Sequence, residues 1–173
     1  MSVIGVAIYG IGVFAVFCCS AAYNFVSHYS WKSIFRRLDH AAVYVKIAAT
    51  YTPFVALKMA NCAGAVLLIL VWSVAAFGLT LKLWFPEHLI KTSYVLYLAQ
   101  GWSALLVVRP LAASVSNVTL VMLCIGGLLY TIGVLFHFWH SLRYHNATWH
   151  GFVVAGSSCH FLAVLDTVGV SWI

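Results

Sequence analysis

Apolar residues along this chain come in long continuous stretches, roughly Val3 to Phe25, His40 to Met59, Cys62 to Trp84, Thr92 to Val108, Val118 to Phe138 and Trp149 to Val170. A helix of about 20 such residues crosses the ~30 Å hydrocarbon core of a bilayer. None of the stretches alternates with the period of a barrel strand, so each is read as a helix, which satisfies its own backbone in lipid. Charges and breakers fall between them, at Ser30 to Arg37, Ala60 to Asn61, Phe85-Pro86-Glu87-His88, Arg109-Pro110 to Asn117, and His140 to His145. These segments are the expected connectors. The pattern predicts an all-α fold, a polytopic transmembrane helix bundle of six spans in a single domain over residues 1–173. Val3 to Phe25 has no Lys or Arg before it and exceeds the apolar core of a signal peptide, so it is read as the first span.

Composition agrees, with 64% hydrophobic and 7% charged residues and a mean hydropathy of +1.02, where a soluble domain carries about 25% charged residues. A soluble fold is excluded. The nine Lys and Arg against three Asp and Glu give a net charge of +6. They are scattered singly or in pairs with no basic stripe among aromatics, which excludes nucleic acid as a partner and leaves membrane lipids. No protein partner is indicated. Assigning alternate connectors to opposite sides puts Lys32, Arg36, Arg37, Lys82, Lys91 and Arg143 on one face and Lys58 and Arg109 on the other. By the positive-inside rule the first, third and fifth connectors are cytoplasmic and both termini lie outside, in the plasma (inner) membrane. Arg36-Arg37 is a two-charge anchor for anionic lipid heads. Cys18, Cys19, Cys62, Cys124 and Cys159 form no CxxC and are expected to be small buried apolar residues.

Polar residues that are costly to place in lipid are functional candidates by default. Ser20 and Asn24 close the first span, Asp39 and His40 open the second, and Asn146 and His150 mark the start of the last, all on the cytoplasmic side. Four residues make about one helical turn, so Ser20 shares a face with Asn24, and Asn146 with His150. Zinc takes His nitrogen and carboxylate oxygen, so such a cluster is a candidate metal site, with interhelical hydrogen bonding as the commoner use. Lys46, His160 and Asp166 lie inside spans. His137 and His140, three apart, have a spacing a metal can use, but Phe136, Phe138 and Trp139 beside them suit an interfacial aromatic belt. Gly126-Gly127 with Gly133 reads as a seam for close helix packing. Pro53 is expected to kink the second span, with Thr52 helping to satisfy the freed backbone.

Several segments resemble the haemolysin III and progestin/adipoQ receptor family of membrane proteins. They are Cys19-Ser20-Ala21-Ala22-Tyr23-Asn24, Arg37-Leu38-Asp39-His40-Ala41-Ala42-Val43-Tyr44, Ala49-Thr50-Tyr51-Thr52-Pro53-Phe54, Leu98-Ala99-Gln100-Gly101-Trp102, Gly126-Gly127-Leu128-Leu129-Tyr130-Thr131-Ile132-Gly133, and Trp149-His150-Gly151-Phe152-Val153 with Cys159-His160-Phe161. The order and spacing match across nearly the whole chain. The resemblance implies a seven-helix fold, of which this chain is equivalent to spans two to seven. It also implies a zinc ion held near the cytoplasmic face by three histidines, with a serine and an aspartate close by. The serine and aspartate carry over to Ser20 and Asp39, and one histidine to His150. The other two fall on Asn24 and Asn146. A neutral amide oxygen is a poorer zinc ligand than imidazole, so zinc is expected to bind weakly or not at all. Two neighbours are possible substitutes. His145 precedes Asn146 by one residue, about 100° round a helix, and His28 follows Asn24 by four.

Lys46 and Asp166 stand where the family is usually apolar. Each charge alone costs about 2.5 to 3.5 kcal/mol at mid-bilayer, so an ion pair between them is one expectation. Separate snorkelling to opposite faces is the other. Three functions follow. The first is membrane-lipid homeostasis with a degenerate metal site. The second, implied by the family's resemblance to alkaline ceramidases, is zinc-dependent hydrolysis of a lipid amide, with Asp39 as base or orienter and Ser20 supporting the oxyanion. The third is a small pore or proton-linked transporter through Asp39, Lys46, His160 and Asp166.

Overall fold

The computed structural model describes residues 2–84, 90–139 and 141–170; Glu87, His88 and His140, singled out above, lie outside them. The described residues form helices α1 (Ser2–Phe25), α2 (Tyr29–Lys58), α3 (Cys62–Trp84), α4 (Ile90–Gly101), a 3-10 segment (Trp102–Val107), α5 (Val108–Ser114), α6 (Asn117–Phe138) and α7 (His145–Val168), with no strand among them. They pack as two compact units, Met1–Val107 and Val108–Ile173.

Among the described residues five segments are long and apolar enough to cross a membrane: Val3–Phe25, Cys62–Trp84, Thr92–Ser114, Asn117–Phe138 and His145–Val168. The expected second span is missing from this set, although α2 has 30 residues. Its polarity has a packing reason. Within the first unit α2 touches α1, α3 and α4, and its Lys46, Thr50 and Thr52 are buried with Tyr44, Ala48, Ala49 and Phe54. A helix wrapped by other helices need not be as apolar as one facing lipid.

Small residues set the close approaches. A Cβ on Gly12 would stand 2.6 Å from that of Ala49, and one on Gly5 3.3 Å from the Pro53 backbone, so α1 and α2 run antiparallel nearly backbone to backbone. Across α2 and α3, Gly78 makes room for the Tyr44 ring, and Trp72 Nε1 donates to Thr52 Oγ1 at 3.3 Å. The α4 segment is pinned by polar groups. Gln100 Nε2 donates to the carbonyls of Tyr44 at 3.1 Å and Val71 at 2.9 Å, and Tyr97 Oη to that of His40 at 2.7 Å. In the second unit Gly126 faces the His160 ring, Gly133 faces Trp149 and Phe152, and Gly156 faces the Tyr130 ring, so α6 and α7 are antiparallel along the expected glycine seam.

Four expectations are corrected. The segment Ser30 to Arg37 is helical, because Lys and Arg are good helix formers and α2 continues past the apolar stretch, leaving 26–28 as the connector. Arg109 and Pro110 likewise belong to α5. Proline is tolerated there because N–H groups in a first turn have no intrahelical acceptor. Thr52 Oγ1 donates to the Ala48 carbonyl at 3.1 Å, not to that of Ala49, four residues before Pro53. Of the cysteines, Cys18, Cys62 and Cys124 are exposed on the protein surface and Cys19 and Cys159 half-buried, all of them free thiols; a thiol is apolar enough to face lipid as readily as protein.

Candidate functional site

The register of α1 on α2 brings the last turns of one against the early turns of the other, and there Ser20 stands close enough for its hydroxyl to act on the Asp39 carboxylate. Both side chains are half-buried. Rings line this end of the unit. His40 meets Tyr94 edge-on at 6.5 Å between centroids, Tyr94 meets Tyr97 at 5.6 Å, and Tyr97 meets Tyr44 at 4.4 Å. Tyr94 and Tyr97, three apart on α4, were not singled out in the sequence. Their spacing puts both on one helix face, which is the signal that was available.

Asn24 stands one turn beyond Ser20, exposed, with its Nδ2 donating to the Ser20 carbonyl at 2.8 Å. The amide is thus engaged by its own helix. His28 does not share that face. α1 ends at Phe25, and His28 is the exposed N-cap residue of α2, making no side-chain cap hydrogen bond.

In the second unit, Asn146 and His150 lie in the first turns of α7, Asn146 exposed and His150 half-buried. His145 opens the same helix and its ring stands 6.0 Å from that of His137. His137 in turn packs on Trp149 at 5.5 Å and Phe138 at 5.8 Å, which fits the aromatic-belt reading of that histidine. His160 fills the notch at Gly126 and lies 5.5 Å from the Tyr130 ring.

Lys46 is enclosed in the first unit at 4% exposure. Asp166, in the second, is bound at the far end of the α6–α7 pair. Its Oδ2 accepts from Thr119 Oγ1 at 2.6 Å and also from the Ser116 hydroxyl. Ser116 is the N-cap of α6 and accepts from the Thr119 backbone N–H at 3.0 Å. A carboxylate at a helix N-terminus is favourably placed against the helix dipole. The Thr and Ser three apart at the start of α6 were the unread signal for it.

The donor set does not fit the zinc site that the resemblance implies. Among the described residues no three His, Cys, Asp or Glu side chains gather as a metal-binding group. Two of the three expected imidazoles are amides, one of them turned to its own backbone. What the first unit does offer is a hydroxyl and a carboxylate close to one another, with tyrosine rings nearby. That arrangement can hold a polar head group by hydrogen bonds.

The family described as Haemolysin-III related matches residues 1–161. Over 163 residues the chain is 36% identical to a Hemolysin-3 homolog of Bacillus subtilis (strain 168), covering 94% of this chain and 76% of that one. It is 33% identical to Hemolysin-3 of Bacillus cereus, over 95% of this chain and 75% of the relative. A Homo sapiens relative, monocyte to macrophage differentiation factor, is 30% identical over 91% of this chain and 67% of its own. No solved structure matches the chain.

Proposed function

We propose, from the premise that this chain belongs to the haemolysin III-related family of membrane proteins, that it serves membrane-lipid homeostasis with a degenerate metal site, with zinc-dependent hydrolysis of a lipid amide as the alternative. One observation carries the reading. Asparagines stand at positions 24 and 146, where the resemblance implies histidines, and with the Asn24 Nδ2 donating to the Ser20 carbonyl only a neutral amide oxygen is left to face a cation. A neutral amide neither supplies charge to a cation nor matches imidazole in affinity for zinc.

The test is the zinc content of the detergent-purified protein, with His150→Ala and the double variant Asn24→His/Asn146→His alongside. Wild type is expected to hold well below one zinc per chain and the double variant about one, the stoichiometry of a single closed site. About one zinc in wild type that His150→Ala removes would sink the proposal. A folded double variant without zinc would show that these asparagines do not stand where the family's ligands do.

The hydrolase reading retains one supporting observation, the closeness of Ser20 to Asp39. It keeps a proton acceptor beside a hydroxyl. Turnover of a lipid amide such as ceramide by wild type, lost in Asp39→Asn, would favour it. The accompanying topology, with the first, third and fifth connectors cytoplasmic, both termini outside and the plasma membrane as location, is supported by the distribution of Lys and Arg.

A further inference from the structure

We propose that the apolar segment Thr92–Ser114 is a two-state element, broken while the Tyr51 hydroxyl is inserted into its backbone and wound as one α-helix when that hydroxyl withdraws. The element shares no residue with the degenerate metal site and stands whether or not that reading holds.

By length and apolarity Thr92–Ser114 is a single membrane-crossing segment, yet the helix changes type inside it. α4 stops at Gly101, Trp102–Val107 is 3-10, and α5 resumes at Val108. Six residues is a long run for a 3-10 helix, whose hydrogen bonds are poorer than those of an α-helix, and such a run within a helix often marks a hinge.

Tyr51 supplies the cause. In an uninterrupted α-helix the Ala104 N–H donates to the Gln100 carbonyl, four residues before it. Here the Tyr51 hydroxyl, reaching across from α2, stands between the two. It accepts from the Ala104 N–H at 3.2 Å and can give its proton to the Gln100 carbonyl, 3.2 Å away, or to that of Gly101. A side chain inserted into the backbone ladder breaks a helix at that point. In lipid the freed groups must find partners, and a hydroxyl, donor and acceptor at once, serves both sides of the gap. Ser103 Oγ gives the Gln100 carbonyl a further bond at 2.7 Å. At the other end Pro110 has no N–H for the Leu106 carbonyl and its ring crowds that group, which also disfavours the α form.

The second form follows from the first by exchange of bonds. Once the hydroxyl withdraws, the Ala104 N–H takes the Gln100 carbonyl directly, so the backbone stays satisfied. The α4 side is held, because the Gln100 side chain is tied to the carbonyls of Tyr44 and Val71. Beyond it Leu105 and Leu106 are 58% and 76% exposed, so their packing does not oppose rewinding. A 3-10 helix rises about 2.0 Å per residue with about 3.0 residues per turn, against about 1.5 Å and 3.6 for an α-helix. Rewinding six residues therefore shortens the segment by about 3 Å and turns α5 about 120° round the helix axis, carrying Arg109 with it.

Double electron–electron resonance reads the two forms as distances between spin labels at Val95→Cys and Ala113→Cys, both exposed positions. The full chain, with its native cysteines replaced, is measured in phosphatidylcholine nanodiscs. With Tyr51 in place the longer distance of the broken form is expected to dominate, with a shorter one in the minority. Tyr51→Phe keeps the ring and removes the hydroxyl, and should raise the ratio of the continuous to the broken form about fivefold, the worth of one hydrogen bond. Pro110→Ala should move the ratio the same way, and reads the same equilibrium if Tyr51→Phe does not fold. Thr80→Ala, which removes a hydroxyl bonded within its own helix, should leave it unchanged. One distance distribution shared by the unsubstituted chain, Tyr51→Phe and Pro110→Ala overturns the proposal and makes the break a fixed part of the fold. So does broadening in Tyr51→Phe without a shorter distance, which would mean that the segment melts instead of rewinding.

Discussion

Asp166 and Gln100 show how single polar side chains are used in this protein. The Asp166 carboxylate receives two hydroxyls, and one of them caps α6. Removing it in Asp166→Ala leaves the Thr119 and Ser116 hydroxyls without their acceptor at a helix start. The expected cost is about 1 to 3 kcal/mol, read as a lower melting temperature in detergent. Asp166→Asn should lose less, because an amide oxygen still accepts. An effect equal in both variants would mean that charge against the helix dipole, and not hydrogen bonding, is what matters there. Gln100 works by donation, its one amide tying α4 to carbonyls on α2 and α3. The residue types and positions are plain in the sequence, yet their partners are 29 to 56 residues away. A string of single residues carries no record of such pairings.

At the scale of the helix, contact distance is set by what has no side chain. A Cβ on Gly126 would lie 2.4 Å from the His160 ring, whereas one on Gly151 meets nothing within 4 Å. Gly126→Ala should therefore destabilise the α6–α7 pair by about 1 to 3 kcal/mol through overpacking. Gly151→Ala should be stabilising by about 0.5 to 1 kcal/mol, since glycine weakens a helix interior. Comparing the two melting temperatures checks this, and equal shifts would mean that the seam is loose enough to absorb a methyl group. Element boundaries were legible wherever apolarity stops with the helix, as at Cys62–Trp84. They were not legible at Tyr29 and His145, where charged or polar residues continue the helix beyond the apolar stretch. Apolarity reports what a residue can touch, and helicity depends on backbone hydrogen bonds that Lys, Arg and Asn also accept.

For the whole molecule, membrane residence is carried by five apolar helical segments among the described residues and by the family. The proposed topology makes a direct prediction. With the native cysteines replaced, Lys32→Cys and Arg143→Cys should react with an impermeant thiol reagent from the cytoplasmic side only. Lys58→Cys and Arg109→Cys should react from the opposite side only. Labelling of all four from one side would overturn the alternation of connectors. The candidate site was partly legible at this scale, because Ser20 and Asp39 stand in the last turns of α1 and the early turns of α2, two helices joined by a short connector. The closeness of Ser20 to Asp39 depends on the α1–α2 register, which Gly5 and Gly12 set by their closeness to α2.

The sequence alone determined the solvent, the helical class and the presence of asparagine at positions 24 and 146, because each is a property of composition or of residue type at one position. Hydropathy over some 20 residues decides whether a segment can enter a bilayer, and ligand chemistry decides what an asparagine can hold. Tertiary structure decided the rest. It wrapped α2 so that a helix with buried Lys46 needs less apolarity than its neighbours, turned the Asn24 amide to its own backbone, and gave Asp166 two hydroxyl partners. Those outcomes rest on distances between residues far apart in the chain, which are fixed only when helices pack.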